Sequence, residues 1–208
     1  MLRRALITTL TIGLAATLAA QAPAGWKVRI DRSTSASDPD DTPDLKVTAI
    51  PKGFRVTGGP AGTFWADASA SGGFVARATF RLMKPSNHVN YYGLIFGGSD
   101  LDGPNQTYLY FLVAQNGTFL IRQRMGDKVQ NVQPRTPHAA IRQPDASGQS
   151  TNTLEVRVSG DTISYLVNGT VVHTTPRSGV TARTDGIVGV RINHLLDVEV
   201  EGFEVQKL

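Results

Sequence analysis

Three carboxylates in the segment DVEVE, near the end of the chain, are the best candidates for catalysis. Asp197, Glu199 and Glu201 occupy alternate positions, so they would share one side of a β-strand, in which side chains alternate with a period of two. Glycoside hydrolysis needs two carboxyls about 5–10 Å apart, with the pKa of one raised by burial. Three adjacent, exposed carboxylates do not meet that need, and we interpret them as a solvated strand face.

Oxygen-rich and histidine positions are the candidates for metal binding. The loop SDLDGPNQ offers Asp100, Asp102 and Asn105, but it lacks the third carboxylate and the distant Glu of an EF-hand. We favour a tight Asx turn for this loop. Calcium binding at Asp100 and Asp102 stays an open alternative. The four histidines show no metal-ligand spacing, and a rim site at His88 and His194 is less favoured than turn hydrogen bonds. The sequence therefore predicts no metal and no cofactor.

Composition argues against several function classes. Without residues 1–20 the chain keeps 19 Lys and Arg, since Arg3 and Arg4 are removed from 21, against 17 Asp and Glu, a formal charge of +2. No basic stripe interleaved with exposed aromatics stands out, so nucleic acid is not an expected partner. The chain has no cysteine, so disulfides cannot stabilise it and its stability must come from a core.

The N-terminus has the layout of a secretory signal peptide. Two arginines precede an apolar run over residues 5–20, and small residues follow. The run is shorter than the ~20 residues that cross a bilayer, so we expect cleavage within residues 20–24 rather than a membrane span. We therefore expect a signal peptide over residues 1–20, one domain over residues 21–208, and a secreted or periplasmic location.

Alternation of apolar and polar residues with a period of two predicts an all-β mature chain. The 21 glycines and 11 prolines supply the turns of a two-sheet antiparallel β-sandwich. Two segments look loose, 33–44 and 134–152; the second is long enough for a lid or rim loop, although a plain connection is favoured. The predicted strands are 26–30, 45–50, 54–57, 74–82, 89–96, 108–115, 118–124, 153–159, 162–167, 170–174, 187–192 and 198–205.

Turn residues predict the register of two hairpins that share a strand. Two-residue turns at Gly160-Asp161 and Asn168-Gly169 place Val156 opposite Tyr165, with Val172 beside Tyr165. One face of this meander is then apolar and should meet the core. Its residues are Leu154, Val156, Val158, Ile163, Tyr165, Val167 and Val172.

A two-residue turn at Asn116-Gly117 predicts a hairpin with two largely apolar faces. The predicted core face carries Tyr108, Tyr110, Leu112, Ala114, Phe119 and Ile121. The opposite face carries Leu109, Phe111, Val113, Leu120, Arg122 and Arg124. Such a hairpin belongs in the middle of a sheet, and its second face must be covered or must bind something.

The chain resembles a known group of sandwiches. The segment NTLEVRVSGDTISYLVNGTVV, followed by GIVGVRINHLLDVEVEGFEV, resembles the C-terminal half of laminin-G-like and concanavalin-like jelly rolls. With HVNYYGLIFGGSDLDGPNQTYLYFLVAQNGTFLIRQRMGD, residues 26–208 are similar to secreted bacterial domains of unknown function related to the 3-keto-disaccharide hydrolase family. The resemblance implies a jelly roll with a structural Val-Asn-Gly hairpin, but the Phe-Asn-Gly-Lys motif of that family is missing.

The second face of the Asn116-Gly117 hairpin is the predicted binding surface. Its register sets Phe111 opposite Arg122 and Leu109 opposite Arg124. A guanidinium can lie flat on an aromatic ring and still present donors to a ligand. The predicted ligand-binding residues, the last three taken from nearby strands without a register, are Phe111, Arg122, Arg124, Trp65, His88 and Tyr92.

These residues favour a binding module over an enzyme. We expect a secreted sandwich that binds a glycan or another small ligand on a sheet face. One alternative is a glycoside hydrolase or lyase of the 3-keto-disaccharide hydrolase type. The other is a structural or interaction module, in which the two arginines merely cover apolar sheet surface with their aliphatic stems.

Overall fold

The computed structural model describes residues 22–208, which form two antiparallel sheets of seven strands. The predicted signal peptide lies outside these residues. Within them, no helix has the length and apolar character needed to cross a membrane. The strands are β1 Trp26–Asp31, β2 Lys46–Ile50, β3 Gly53–Thr57, β4 Ala61–Ala70, β5 Phe74–Lys84, β6 Tyr91–Ser99, β7 Thr107–Ala114, β8 Thr118–Met125, β9 Lys128–Pro137, β10 Ser150–Ser159, β11 Thr162–Val167, β12 Thr170–Pro176, β13 Gly186–Ile192 and β14 Asp197–Lys207.

The strand order defines two sheets that pack face to face. We call β1-β4-β13-β6-β7-β8-β9 the front sheet and β12-β11-β10-β5-β14-β3-β2 the back sheet. This confirms the predicted all-β sandwich. The sequence patterns missed β4 and β9, because four of the ten residues of β4 are Ala, whereas β9 is polar and contains two prolines.

The core lies between the sheets and takes alternate residues from each central strand. Phe80 and Val156 of the back sheet and Leu94, Phe111 and Val190 of the front sheet are all fully buried there. Period-two alternation delivers these side chains to one face, and the large apolar area removed from water is the main favourable contribution to folding.

The meander of β10, β11 and β12 largely confirms its predicted register. Ser159 pairs with Thr162 and Val156 with Tyr165, and the predicted core side chains of β10 and β11 are fully buried. One detail was wrong: the ladder shifts between Tyr165 and Leu166, which places His173 opposite Tyr165. The shift is a β-bulge, in which one strand carries an extra residue, and Val172 still packs partly buried against the core.

The register predicted for the β7–β8 hairpin was wrong by one residue. Its loop has three residues, 115–117, and the Gly117 amide donates to the Ala114 carbonyl over 3.1 Å. Gly117 has φ +77°, the left-handed conformation that closes a three-residue hairpin loop. Tyr110 therefore opposes Arg122. Because a slip of one residue exchanges the faces of one strand relative to its partner, Tyr110 lies outside the core and Phe111 inside it.

The two segments predicted to be loose are ordered by hydrogen bonds. In the first, a 3-10 turn over Pro39–Asp41 is capped by the Asp38 side chain. The second begins within β9 and ends within β10. Between these strands Ile141 is buried, and the Asn152 side chain accepts from the Arg142 amide and donates to the Arg142 carbonyl, each over 2.9 Å. An anchored connection, rather than a lid, joins β9 to β10.

Candidate functional site

The outer face of the front sheet carries a second apolar cluster, separate from the core. It forms because β6, β7 and β8 are apolar on both faces, so alternate residues must also find cover on the outside. Its buried members are Trp65, Tyr91, Ile95, Leu101, Tyr108, Tyr110, Leu112, Ala114 and Leu120.

A pocket of about 340 Å³ opens over this cluster, and we call it the outer pocket. Its floor is apolar and aromatic, and its walls are mostly cationic or amide side chains. Among the described residues that line it, none is acidic. The lining residues are His88, Val89, Asn90, Tyr91, Tyr110, Leu112, Leu120, Arg122, Arg124, Val129, Arg135, Arg191, Asn193 and His194.

Arg191 of β13 is held rigidly at the base of the outer pocket. Its Nη1 donates to Asp31 Oδ2 over 2.6 Å, to the Thr63 hydroxyl over 2.8 Å and to the Tyr108 hydroxyl over 3.1 Å. Burial raises the pKa of Asp31, but the charge and hydrogen bond of Arg191, together with a hydrogen bond from Arg29, outweigh burial and hold that pKa below its usual value. Asp31 therefore stays ionised as the counterion of Arg191.

Arg122, by contrast, has unused hydrogen-bonding capacity. Its Nε is buried and has no hydrogen-bond partner among the described residues. Burial raises the pKa of the neighbouring Tyr110 hydroxyl, and the positive charges of Arg191 and Arg122, together with a hydrogen bond from Arg122, only partly oppose that rise. A neutral phenol and an incompletely bonded guanidinium thus stand side by side in the pocket.

Two further arginines complete the cationic walls. Arg124 donates from Nε to the Gly126 carbonyl over 2.8 Å, and its Nη1 lies 3.8 Å from Asp31 Oδ2. The guanidinium of Arg135 on β9 lies over the Tyr91 ring, 5.5 Å from its centroid, which is within cation–π range. Arg135 thereby covers one aromatic wall of the pocket.

The structure brings together three of the six predicted ligand-binding residues. His88, Arg122 and Arg124 line the outer pocket. Trp65 lies on the same face but is only 4% exposed, within the outer apolar cluster. The placement of Phe111 on the outer face was wrong because of the register slip, and Tyr92, which was predicted without a register, is fully buried in the core.

A side-chain cluster lies at the rim of the pocket, where the sequence suggested a less favoured site at His88 and His194 but gave no sign of Asp40. Asp40 Oδ2 lies 3.5 Å from His88 Nε2 and 3.4 Å from His194 Nε2, and we call these three residues the rim cluster. Burial lowers the pKa of His194, and the charge of Asp40 opposes this only in part. The position of His88 and His194 at strand ends was the one available signal, since Asp40 comes from a loop far away along the chain.

The carboxylates of DVEVE do not form a catalytic site. Asp197 accepts two hydrogen bonds of 2.7 Å from Arg55, and Glu199 lies 3.9 Å from Arg55 and 4.0 Å from Arg81. They form a strand face on the back sheet, as predicted, but one in which Asp197 and Glu199 are paired with arginines rather than freely solvated.

The SDLDGPNQ loop forms the tight turn that was favoured for it. Asp100 Oδ2 accepts from the Asn105 amide over 3.0 Å, and the Gly103 amide donates to the Asp100 carbonyl over 3.0 Å. The Asp100 carboxylate therefore serves to close the loop.

Comparison with known proteins identifies the fold. No family model matches the chain, and no curated protein matches its sequence. Among solved structures, the carbohydrate-binding module CBM66 from Bacillus subtilis is similar at 13% identity and a TM-score of 0.62, over 88% of this chain and 96% of that one.

Two further structures give the same result. A protein of unknown function with a galectin-like fold, also from Bacillus subtilis, has a TM-score of 0.60 at 12% identity, over 88% of this chain and 90% of that one. The β-glucanase of Bacillus licheniformis has a TM-score of 0.56 at 11% identity, over 90% of this chain and 95% of that one. At these identities the likeness concerns the fold alone: the chain is a jelly-roll β-sandwich of the concanavalin and galectin type.

Proposed function

We propose that this chain is an exported carbohydrate-binding module whose ligand, an acidic saccharide, occupies the outer pocket. The observation that carries the proposal is the composition of that pocket. Tyrosine and leucine side chains form its floor, and arginines without a lining carboxylate form its walls. Pockets for small ligands combine such an apolar floor with a few polar groups that determine orientation.

Arg122 is the lining residue that argues most strongly for a bound ligand, because its Nε lacks a hydrogen-bond partner among the described residues. A buried donor without a partner costs about 1–3 kcal/mol, and the Arg122 Nε is such a donor among the described residues. Because Nε itself is buried, the Arg122 side chain would have to turn it toward the pocket before a hydroxyl or carboxylate oxygen of a saccharide could satisfy it. The guanidinium fork suits a carboxylate best, because two parallel N–H groups can bind its two oxygens.

Charge favours an acidic over a neutral saccharide. Arg122, Arg124, Arg135 and Arg191 line the pocket, and Asp31 neutralises chiefly Arg191, with Arg124 more distant at 3.8 Å. The remaining positive charge would attract a uronate or a sulfated sugar. The Tyr110 ring beside these arginines would contact the apolar side of the sugar ring.

The proposal includes the export and domain organisation expected from the sequence. Residues 1–20 would be removed as a signal peptide, and residues 21–208 would act as one domain in the periplasm or outside the cell. The fold supports only the carbohydrate-binding part of the proposal, since it recurs in a carbohydrate-binding module and in the carbohydrate recognition domain of Emp46p. A hydrolase of the 3-keto-disaccharide type gains no support from the DVEVE carboxylates, of which Asp197 and Glu199 are paired with arginines.

A glycan array that contains neutral, uronate and sulfated oligosaccharides tests the proposal. We expect the purified protein to bind acidic members, and Arg122→Lys to weaken that binding by at least about tenfold, equivalent to 1.4 kcal/mol. Arg157→Lys, in an exposed pair with Glu155 on the back sheet, is the matched control and should bind normally. Absence of glycan binding, or equal binding by both variants, would contradict the proposal. Release of product from 3-keto-glycosides would favour the hydrolase alternative.

A further inference from the structure

The rim cluster has distances that suit a shared ion better than direct hydrogen bonds. Charged N–H···O hydrogen bonds are about 2.7–2.9 Å long, whereas Asp40 Oδ2 lies 3.4 and 3.5 Å from the Nε2 atoms of His194 and His88. In a tetrahedral site with metal–ligand bonds of about 2.05 Å, neighbouring ligand atoms are about 3.3 Å apart. The three ligand atoms lie within 4.8 Å of one another, so small side-chain movements would complete the geometry.

The surrounding structure already orients the three side chains. The Asp38 carboxylate accepts from the Asp40 amide over 2.9 Å and stabilises the turn that carries Asp40. Asn90 Nδ2 lies 3.1 Å from His88 Nε2. In the tautomer that carries its proton on Nδ1, His88 accepts a hydrogen bond from Asn90 at Nε2; that tautomer also binds a metal through Nε2, and an ion would replace the Asn90 donor.

Local charge on the loop side of the cluster is predominantly acidic. A pocket of about 220 Å³ adjoins it, lined by four carboxylates, Asp31, Asp38, Asp40 and Asp41, and by two arginines, Arg32 and Arg191. Asp31 is the counterion of Arg191 and Arg32 pairs with Asp44, so Asp38, Asp40 and Asp41 are left to favour a cation. A separate observation points the same way. The Asn193 side-chain oxygen, which lines this pocket and the outer pocket, is buried without a hydrogen-bond partner in the described part of the chain, so it requires a donor such as water bound to an ion.

We propose that Asp40, His88 and His194 bind a divalent transition-metal ion, with Zn²⁺ favoured over Ca²⁺ or Mg²⁺. Imidazole ligands select zinc, copper, nickel and cobalt, whereas calcium and magnesium prefer sites made entirely of oxygen atoms. Three protein ligands leave one position of a tetrahedral ion open. Because His88 and His194 also line the outer pocket, that position would be accessible to an oxygen atom of a ligand there. The metal site itself does not depend on the proposed saccharide.

Metal titration of the full chain, purified without a histidine tag and stripped with a chelator, tests this inference. We expect one equivalent of Zn²⁺ to bind in calorimetry, and Co²⁺ to give the intense visible absorption of a tetrahedral complex. Asp40→Asn, His88→Gln and His194→Gln should each weaken binding by at least about tenfold, since even changes beside a ligand cost 10–100-fold. The controls are His138→Gln and Asp127→Asn, which lie outside the rim cluster and should bind as the wild type does.

Several results would overturn the site. These are absence of Zn²⁺ and Co²⁺ binding by the wild type, equal affinity in the cluster variants and the controls, or tighter binding of Ca²⁺ than of Zn²⁺. If a variant fails to fold, nitrogen NMR of the imidazoles in the wild-type protein replaces the binding measurement on that variant. Added Zn²⁺ should then shift the Nε2 signals of His88 and His194 but leave those of His138 and His173 unchanged, and unmoved signals from His88 and His194 would refute the proposal.

Discussion

Tyr110 lies directly opposite Arg122 in the β7–β8 ladder, and both side chains line the outer pocket. This pairing follows from the three-residue loop that closes the hairpin. It brings an aromatic ring beside a guanidinium with an unbonded Nε. The same register sends Phe111 to the core, so ligand binding and packing depend on adjacent residues of one strand.

Phe111 should contribute strongly to stability and should affect ligand binding only indirectly. Phe111→Ala would leave a cavity in the core and lower the free energy of unfolding by about 3–5 kcal/mol. The exposed Val129 of β9 provides the control, since Val129→Ala should change stability by less than about 0.5 kcal/mol. Urea denaturation followed by fluorescence measures both. A small effect at Phe111 would mean that the β7–β8 register is incorrect.

Gly117 should be required by the loop that creates this register. Its φ of +77° and the approach of Gln143 Nε2 to 2.9 Å from an added Cβ make alanine unfavourable, and Gly117→Ala should cost about 1–2 kcal/mol. Gly73 lacks a positive φ, and its added Cβ would make only ordinary contacts, so Gly73→Ala is the matched comparison. Equal thermal unfolding temperatures for the two variants would argue against the three-residue loop.

Asp31 should stabilise the fold in a pH-dependent way. Asp31→Asn removes the counterion of Arg191, and breaking such a buried pair costs about 3–5 kcal/mol at pH 7. Because the folded-state pKa of Asp31 is lowered, this contribution is complete above the unfolded-state pKa near 3.9 and is lost as the pH falls through the folded-state pKa. Urea denaturation of both proteins between pH 7 and pH 2 should show the difference shrinking at low pH; a constant difference would contradict the expected linkage.

Protonation of His173 should lower the stability of the folded protein. Burial lowers its pKa in the folded state, so the unfolded chain takes up a proton first. Stability should then fall as the pH drops from the unfolded value near 6.5 toward the folded-state pKa. His173→Gln removes this dependence, while the matched His138→Gln retains it. Denaturation curves at pH 8 and pH 5 for both variants and the wild type measure the effect. An equal loss of stability between these pH values in His173→Gln and the wild type would contradict it.

The two hairpins show how far turn residues determine register. The β10–β11 register was predicted correctly because its turn has two residues and one face is clearly apolar, with Val156 and Tyr165 both fully buried. Around Asn116-Gly117 the strands are apolar on both faces, so hydrophobic pattern could not distinguish a two-residue from a three-residue loop. Local chemistry leaves that choice open when both sides of a strand are buried.

The candidate site was only partly predictable for a related reason. Arg122 and Arg124 were found because they alternate along one strand. Asp40, His88 and His194 belong to segments far apart along the chain, and their convergence depends on how the loop after β1 folds over the end of the front sheet. The spacing of these residues along the sequence does not reveal that they converge, so the histidines were not assigned to a metal.

The bulge in β12 and the prolines of β9 also affect how the sheets end. These strands are one edge of the back sheet and one edge of the front sheet. Pro176 in β12 and Pro134 and Pro137 in β9 have no N–H to donate, and a bulge distorts the regular row of donors and acceptors that an incoming strand would need. A second chain therefore finds a poor template at these two edges, which protects the protein against aggregation through strand addition.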